Sequence, residues 1–143
     1  GDYEAFERIL ADGLSRYAVR LFGYELMPNH WHLVLRPDCD GEMSRFLRWI
    51  TATHAMRYHV HDHTSGAGHV YQGRFKRFPI QDDEHFLTVC RYVECNALRA
   101  GLVERAEAWA LGGRCGVGCE KPNRRHRCCR RGRFSACRIG WRR

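Results

Sequence analysis

The strongest constraint on the fold is the run Met27-Pro28-Asn29-His30-Trp31-His32-Leu33-Val34-Leu35. Pro28 biases Met27 away from helical geometry, so the chain turns or extends at this point. Leu33, Val34 and Leu35 then form a short apolar run of the kind that makes a buried strand. Side chains on a strand alternate between faces, so His30 and His32 share one face and Trp31 takes the other. Two imidazoles on neighbouring same-face positions can share a metal ion, while Trp31 is free to pack beneath a helix. The same pattern also suits two histidines at a sheet edge, and the rest of the chain has to decide between the two readings.

Upstream, residues 2–14 read as a helix. Tyr3, Phe6, Ile9 and Leu10 fall on one face, and Asp2 suits an N-cap. Residues 17–27 read as a strand in which Val19, Leu21 and Gly23 alternate with Arg20, Phe22 and Tyr24. The short link at Pro28-Asn29 makes this strand and the histidine strand an antiparallel pair. Residues 42–60 read as a second helix, buried through Phe46, Leu47, Trp49 and Ile50, with His59, His61 and His63 as its polar end. The segment 70–80 reads as a turn and a strand, with Arg74 and Lys76 on one face and Phe75 and Arg77 on the other. Residues 82–97 read as a third helix with Phe86, Val89, Cys90, Val93 and Ala97 as its buried stripe. Helix, strand, strand, helix, strand, helix describes an α+β fold, helices stacked on an antiparallel sheet.

The formal charge of +8 is not spread over the chain. Glu120 is the one acid between Gly112 and Arg143, a stretch crowded with arginine and cysteine, so the body is close to neutral. The polyanion affinity that a basic protein suggests therefore belongs to the tail, and the body has to be judged by its site. No apolar run is long enough for a membrane span and no secretory leader is visible, so the expected location is the cytoplasm, with reduced thiols.

Tyr92 and Asn96 stand one helical turn apart. Two imidazoles and an amide oxygen make a mixed N/O donor set that suits Mg²⁺ or Mn²⁺. Such an ion can polarise a phosphodiester, and a tyrosine can attack the phosphorus. A phenol has a pKa of about 10, so a cation or a base must assist it. Arg74 and Lys76 could stabilise the charge that develops, and basic and aromatic residues interleaved on a strand suit a nucleic-acid backbone. The plainer reading of Tyr92 is an amphipathic helix tyrosine with a wet hydroxyl.

Three segments together resemble the single-tyrosine HUH transposases, and most closely the branch associated with repetitive extragenic palindromes. They are M-P-N-H-W-H-L-V-L (27–35), Y-Q-G-R-F-K (71–76) and D-D-E-H-F-L-T-V-C-R-Y-V-E-C-N-A-L-R-A-G-L-V (82–103). The resemblance implies His30, His32 and Asn96 as metal ligands and Tyr92 as the nucleophile that takes the 5′-phosphate. It implies Mg²⁺ or Mn²⁺ as cofactor and single-stranded or hairpin DNA as partner. Gln72, Arg74, Lys76 and Arg77 are the expected DNA contacts. Related enzymes act as monomers or as homodimers, and either assembly is compatible with these residues.

The family sheet is ferredoxin-like, with a central strand that precedes the first helix and lies beside the histidine strand. Here the chain opens on the helix. The expectation is therefore a ferredoxin-like antiparallel sheet with helices on one face and its first strand missing. Residues 1–109 would form the transposase domain, N-terminally truncated, and 110–143 a basic tail, disordered or translated out of frame. A zinc site through Cys115, Cys119, His126 and Cys128 or Cys129 is the other reading of that tail. Two further functions compete with a DNA-cleaving transposase. One is a DNA-binding remnant without catalysis. The other is a zinc hydrolase or deaminase, which the absence of a P-C-x-x-C motif disfavours.

Overall fold

The computed structural model describes residues 1–64, 66, 68–81, 83–113 and 135–140. Helix α1 (Asp2–Arg16) leads into a hairpin of β1 (Val19–Met27) and β2 (His30–Pro37). Helix α2 (Glu42–His61), strand β3 (Lys76–Pro79), helix α3 (Asp83–Glu94) and the short helix α4 (Asn96–Arg99) follow. A 3₁₀ turn at Ala106–Ala108 precedes β4 (Gly112–Gly113), and β5 (Ser135–Gly140) completes the described chain. The strands make one sheet in the order β3-β5-β2-β1-β4, and every neighbouring pair is antiparallel. The α+β architecture is the one that the residue pattern predicts.

The period-two alternation of β2 buries both of its faces. Trp31, Leu33 and Leu35 join Phe6, Ile9 and Leu10 of α1 and Phe46, Leu47 and Ile50 of α2 in the larger core. Trp31 is completely buried, its ring 5.6 Å from that of Phe6. Val34 points the other way and packs with Val93, Phe86, Val89 and Cys90. The helices thus do not all share one face: α1 and α2 cover one side and α3 covers the other. The reason lies in β2 itself, whose two faces both carry side chains that need cover. The two helices of the larger layer meet closely at Gly13, where a Cβ would sit 2.9 Å from the Phe46 ring.

A bulge in β1 sets what faces α3. Leu21 pairs with Leu35, but Gly23 pairs with Val34, so Phe22 is an extra residue. Val19 and Leu21 face the larger core before the bulge, and Tyr24 and Leu26 face it afterwards. The simple alternation expected through Gly23 fails at this point. Without the extra residue Glu25 would point into the apolar layer. With it, Glu25 lies on the α3 side, directly across from His32.

The central place beside β2 is filled from the far end of the sequence. β5 pairs with β2 from His30↔Gly140 to Leu35↔Ser135, and with β3 from Lys76↔Arg138 to Pro79↔Ser135. Residues 135–140, assigned above to a structureless tail, therefore occupy the position expected of a strand ahead of α1. Cys137 points into the larger core and is 1% exposed, and Ala136 packs into the smaller one. The cysteines and histidine considered for zinc, Cys115, Cys119, His126, Cys128 and Cys129, lie outside the described residues.

The third helix is shorter than its periodicity predicts. It ends at Glu94, and Cys95 separates it from α4. Glu25 explains the break, because its Oε1 accepts the backbone N–H of Ala97 at 3.0 Å. An amide held by a side chain on another strand does not continue the i→i−4 ladder. The start expected at Asp82 lies outside the described residues.

Candidate active site

His30 and His32 lie side by side on the α3 face of β2, ring centroids 4.9 Å apart and nearly perpendicular. His32 is buried and His30 half-buried. The Nδ1 of His30 is 2.7 Å from Asn29 Oδ1. A proton on that nitrogen, donated to Asn29, leaves Nε2 with its lone pair. The Nε2 of His32 is buried and has no hydrogen-bond partner among the described residues. Burial pushes the His32 pKa down to about 4, with His30 and Arg138 adding charge repulsion. Burial likewise lowers His30, again with Arg138 contributing. Both imidazoles are thus neutral at physiological pH, the form that ligates metals.

Helix α3 brings Tyr92 to this pair. The Tyr92 ring meets His32 edge-on, centroids 5.9 Å apart, and is 44% exposed. The guanidinium carbon of Arg99, on α4, sits 5.2 Å from the centre of the Tyr92 ring. A cation–π contact of this kind holds the ring and puts positive charge beside it. Tyr92 is therefore accessible to a large substrate while its ring is fixed on two sides.

Asn96 opens α4, and its Nδ2 is buried without a partner among the described residues. Amide oxygen and nitrogen can exchange places, so this end of the side chain is an unfilled polar position facing inward. Its backbone is held from β1: Glu25 accepts the Ala97 amide, and the Asn96 amide also lowers the Glu25 pKa. Burial is nevertheless the larger influence and raises the Glu25 pKa overall. The second oxygen of Glu25 is buried and has no partner among the described residues. Three polar side chains thus keep an unsatisfied atom on one face of the hairpin: Glu25, His32 and Asn96. Native proteins rarely leave such atoms unpaired, and a cation is one way to satisfy acceptors.

Among the described residues, the His, Cys, Asp and Glu side chains whose ligand atoms all lie within 4.8 Å of one another are Asp2, His61 and Asp62. That group is exposed, at the start of α1 and the end of α2. Glu25 does not form such a group with the two histidines, so it acts as a support for Asn96 in this conformation.

The basic residues expected to touch DNA divide. Lys76 lies on the α3 face, in the same cross-strand row as His32, through Arg138 of β5. Arg77 pairs with Cys137 and therefore points to the opposite face. Gln72 and Arg74 are exposed in the segment before β3. Three residues in the neighbourhood escaped the sequence reading: Glu25, Arg99 and Arg138. Glu25 had a signal, the one acid of a largely apolar strand, facing His32 across a tight hairpin. Arg99 stands seven residues beyond Tyr92, two helical turns, but the break at Cys95 hides that. Arg138 had no local signal, since only the pairing of β5 with β2 brings it near.

A sheet that holds two neutral histidines beside an accessible tyrosine, with two arginines near them and an amide four residues beyond the tyrosine, has the parts of a phosphoryl-transfer centre. The family described as "Transposase IS200 like" matches residues 2–96, well over half of the chain, and the chain belongs to that family. Membership makes it a transposase, a DNA-processing enzyme in general, and implies a divalent metal cofactor. No curated protein and no solved structure matches the chain. Among the described residues no helix is long and apolar enough to cross a membrane.

Proposed function

We propose that the chain is a metal-dependent single-stranded DNA endonuclease and strand transferase of the HUH type, acting through a 5′-phosphotyrosine on Tyr92. The observation that carries this reading is the edge-on approach of Tyr92 to His32, with His30 beside it. His30, His32 and Asn96 would hold Mg²⁺ or Mn²⁺, which when bound supplies Lewis-acid polarisation of the phosphodiester. The unpartnered Nε2 of His32 and the unpartnered end of Asn96 fit that role.

The chain's own residues supply the rest. The Tyr92 oxygen forms a bond to phosphorus while the P–O3′ bond breaks and its electron pair leaves with O3′. The phenol proton passes to solvent base, and O3′ takes one from solvent. Arg99, over the Tyr92 ring, holds the ring and puts positive charge beside it. Glu25 keeps Asn96 in place through the Ala97 amide. The phosphotyrosine retains the energy of the broken bond, so attack by a second 3′-hydroxyl rejoins strands without a nucleotide cofactor. Single-stranded or hairpin DNA, of the kind used by transposases associated with repetitive extragenic palindromes, is the substrate class.

The test is incubation of the full chain with an end-labelled hairpin-tailed single strand and Mn²⁺. A protein–DNA adduct stable to denaturant is expected, lost in Tyr92→Phe and in His32→Ala. DNA binding without any adduct would overturn the catalytic reading.

A further inference from the structure

We infer that Arg138, carried by the C-terminal strand β5, is a DNA phosphate-binding residue of this centre and works as a pair with Lys76. The inference rests on the reading of the centre as a phosphodiester-cleaving site, and Arg138 lies beyond the family match at 2–96.

Directly paired residues on neighbouring antiparallel strands put their side chains on the same face. The pairs Glu25↔His32, His32↔Arg138 and Arg138↔Lys76 therefore make one row across four strands. The row runs acid, imidazole, guanidinium, ammonium, on the face that α3 brings Tyr92 to. Arg138 is the direct cross-strand neighbour of His32. Tyr92, carrying Arg99, sits next to the middle of the row.

This arrangement is unfavourable for the protein alone. Like charges directly opposite on paired strands destabilise a sheet. Arg138 and Lys76 are both exposed, and neither has an ion pair among the described residues. A second cation beside ligands for a cation weakens metal binding as well. Both costs turn into gains when a phosphodiester lies between the imidazoles and the two basic groups. A guanidinium fork matches the two non-bridging oxygens of a phosphate, which a lysine alone does not. The strand that completes the sheet beside His32 thus also delivers an anchor for the substrate. Arg77 cannot serve this function, because its register puts it on the other face with Cys137.

The experiment measures single-strand binding and adduct formation by the full chain, Arg138→Gln and Arg138→Lys, with Arg48→Gln on α2 as control. The DNA carries either an ordinary phosphate or a neutral methylphosphonate at the cleaved position. Arg138→Gln is expected to bind the ordinary strand about tenfold more weakly, as loss of a charge-assisted phosphate contact does. The slope of log affinity against log salt should become shallower by about 0.7, one phosphate contact fewer on a single strand. The methylphosphonate should weaken the wild-type chain and leave Arg138→Gln nearly unaffected. Arg138→Lys should keep the salt slope and lose only part of the affinity. If Arg138→Gln fails to fold, the lysine variant and the methylphosphonate comparison decide. A wild-type chain that forms the adduct, with Arg138→Gln unchanged in affinity and slope, overturns the role of Arg138 alone. A wild-type chain that binds DNA but never forms the adduct overturns the catalytic reading instead, and the salt slopes still test Arg138.

Discussion

Replacing Glu25 tests how the hairpin holds the site. The residue is 1% exposed, with one oxygen bonded to the Ala97 amide and the other without a partner. Two effects oppose each other. A hydrogen bond to a charged group stabilises by about 1.5–3 kcal/mol, while burying the charge costs free energy, as the raised pKa records. Glu25→Gln keeps an acceptor for Ala97, weakens that bond to about 0.5–1.5 kcal/mol and removes the buried charge. The net change at pH 8 should be within about 1 kcal/mol. Glu25→Ala instead leaves the Ala97 N–H buried and unpaired, worth about 1–3 kcal/mol, and adds a cavity. Its total loss should be about 3 kcal/mol.

Urea unfolding of the three proteins at pH 5 and pH 8 reads these numbers directly. The pH sign follows from the raised pKa. The contribution of Glu25 is fully present below its unfolded pKa and is lost as pH rises through its folded pKa. The wild type should therefore compare best with Glu25→Gln at pH 5 and less well at pH 8. Mn²⁺ affinity should fall about 10–100-fold in Glu25→Ala, the usual cost of losing a residue that orients a ligand, and less in Glu25→Gln. If Glu25→Ala is as stable as Glu25→Gln at both pH values, Glu25 does not hold the α3–α4 junction and the explanation of the helix break fails.

Three further outcomes follow from the packing. Gly13→Ala gains about 1 kcal/mol of helix propensity but meets the buried Phe46 ring at 2.9 Å, so a net loss of about 1–2 kcal/mol is expected by thermal or urea unfolding. His54, buried and bonded to the Tyr71 hydroxyl at 2.8 Å, has its pKa pushed down to about 4 by burial. Its stabilising contribution is complete above the unfolded pKa and is lost as pH falls towards 4. Between pH 7 and pH 5 the wild type should therefore lose about 2 kcal/mol more than His54→Phe, in unfolding measured without metal. Cys137→Asp puts a charge into the larger core and should cost several kcal/mol. Amide exchange in β2 should quicken with it, and unchanged protection there would contradict the central position of β5.

Much of the candidate site's placement was legible because strand alternation is a local rule. His30, His32 and Trp31 go where period two sends them, and Trp31 packs against Phe6 as an apolar ring must. Tyr92 and Asn96 were legible as residues, from helical spacing and family resemblance. The break between them was not, because its cause is Glu25, far away in sequence and brought near by the sheet. The phase of β1 is not legible in the sequence for a related reason. One bulge residue, Phe22, reverses the faces of all that follow, and nothing in the Val19–Met27 pattern announces it. β5 was hidden most completely. Ser-Ala-Cys-Arg-Ile-Gly has weak alternation and sits in an arginine-rich stretch, so its role emerges only from its pairing with β2 and β3. The expectation of an open central position came from the family resemblance, which puts a strand ahead of the first helix, whereas the position is filled from residues 135–140.

The most direct test of the central claim is the chemical identity of the protein–DNA link. The adduct formed with Mn²⁺ is trimmed with nuclease and digested with trypsin, which cuts after Arg91 and Arg99. Mass spectrometry should find the nucleotide remnant on the peptide spanning 92–99, joined through a 5′-phosphate to Tyr92. A remnant on any other residue, or a link through a 3′-phosphate, would contradict the account.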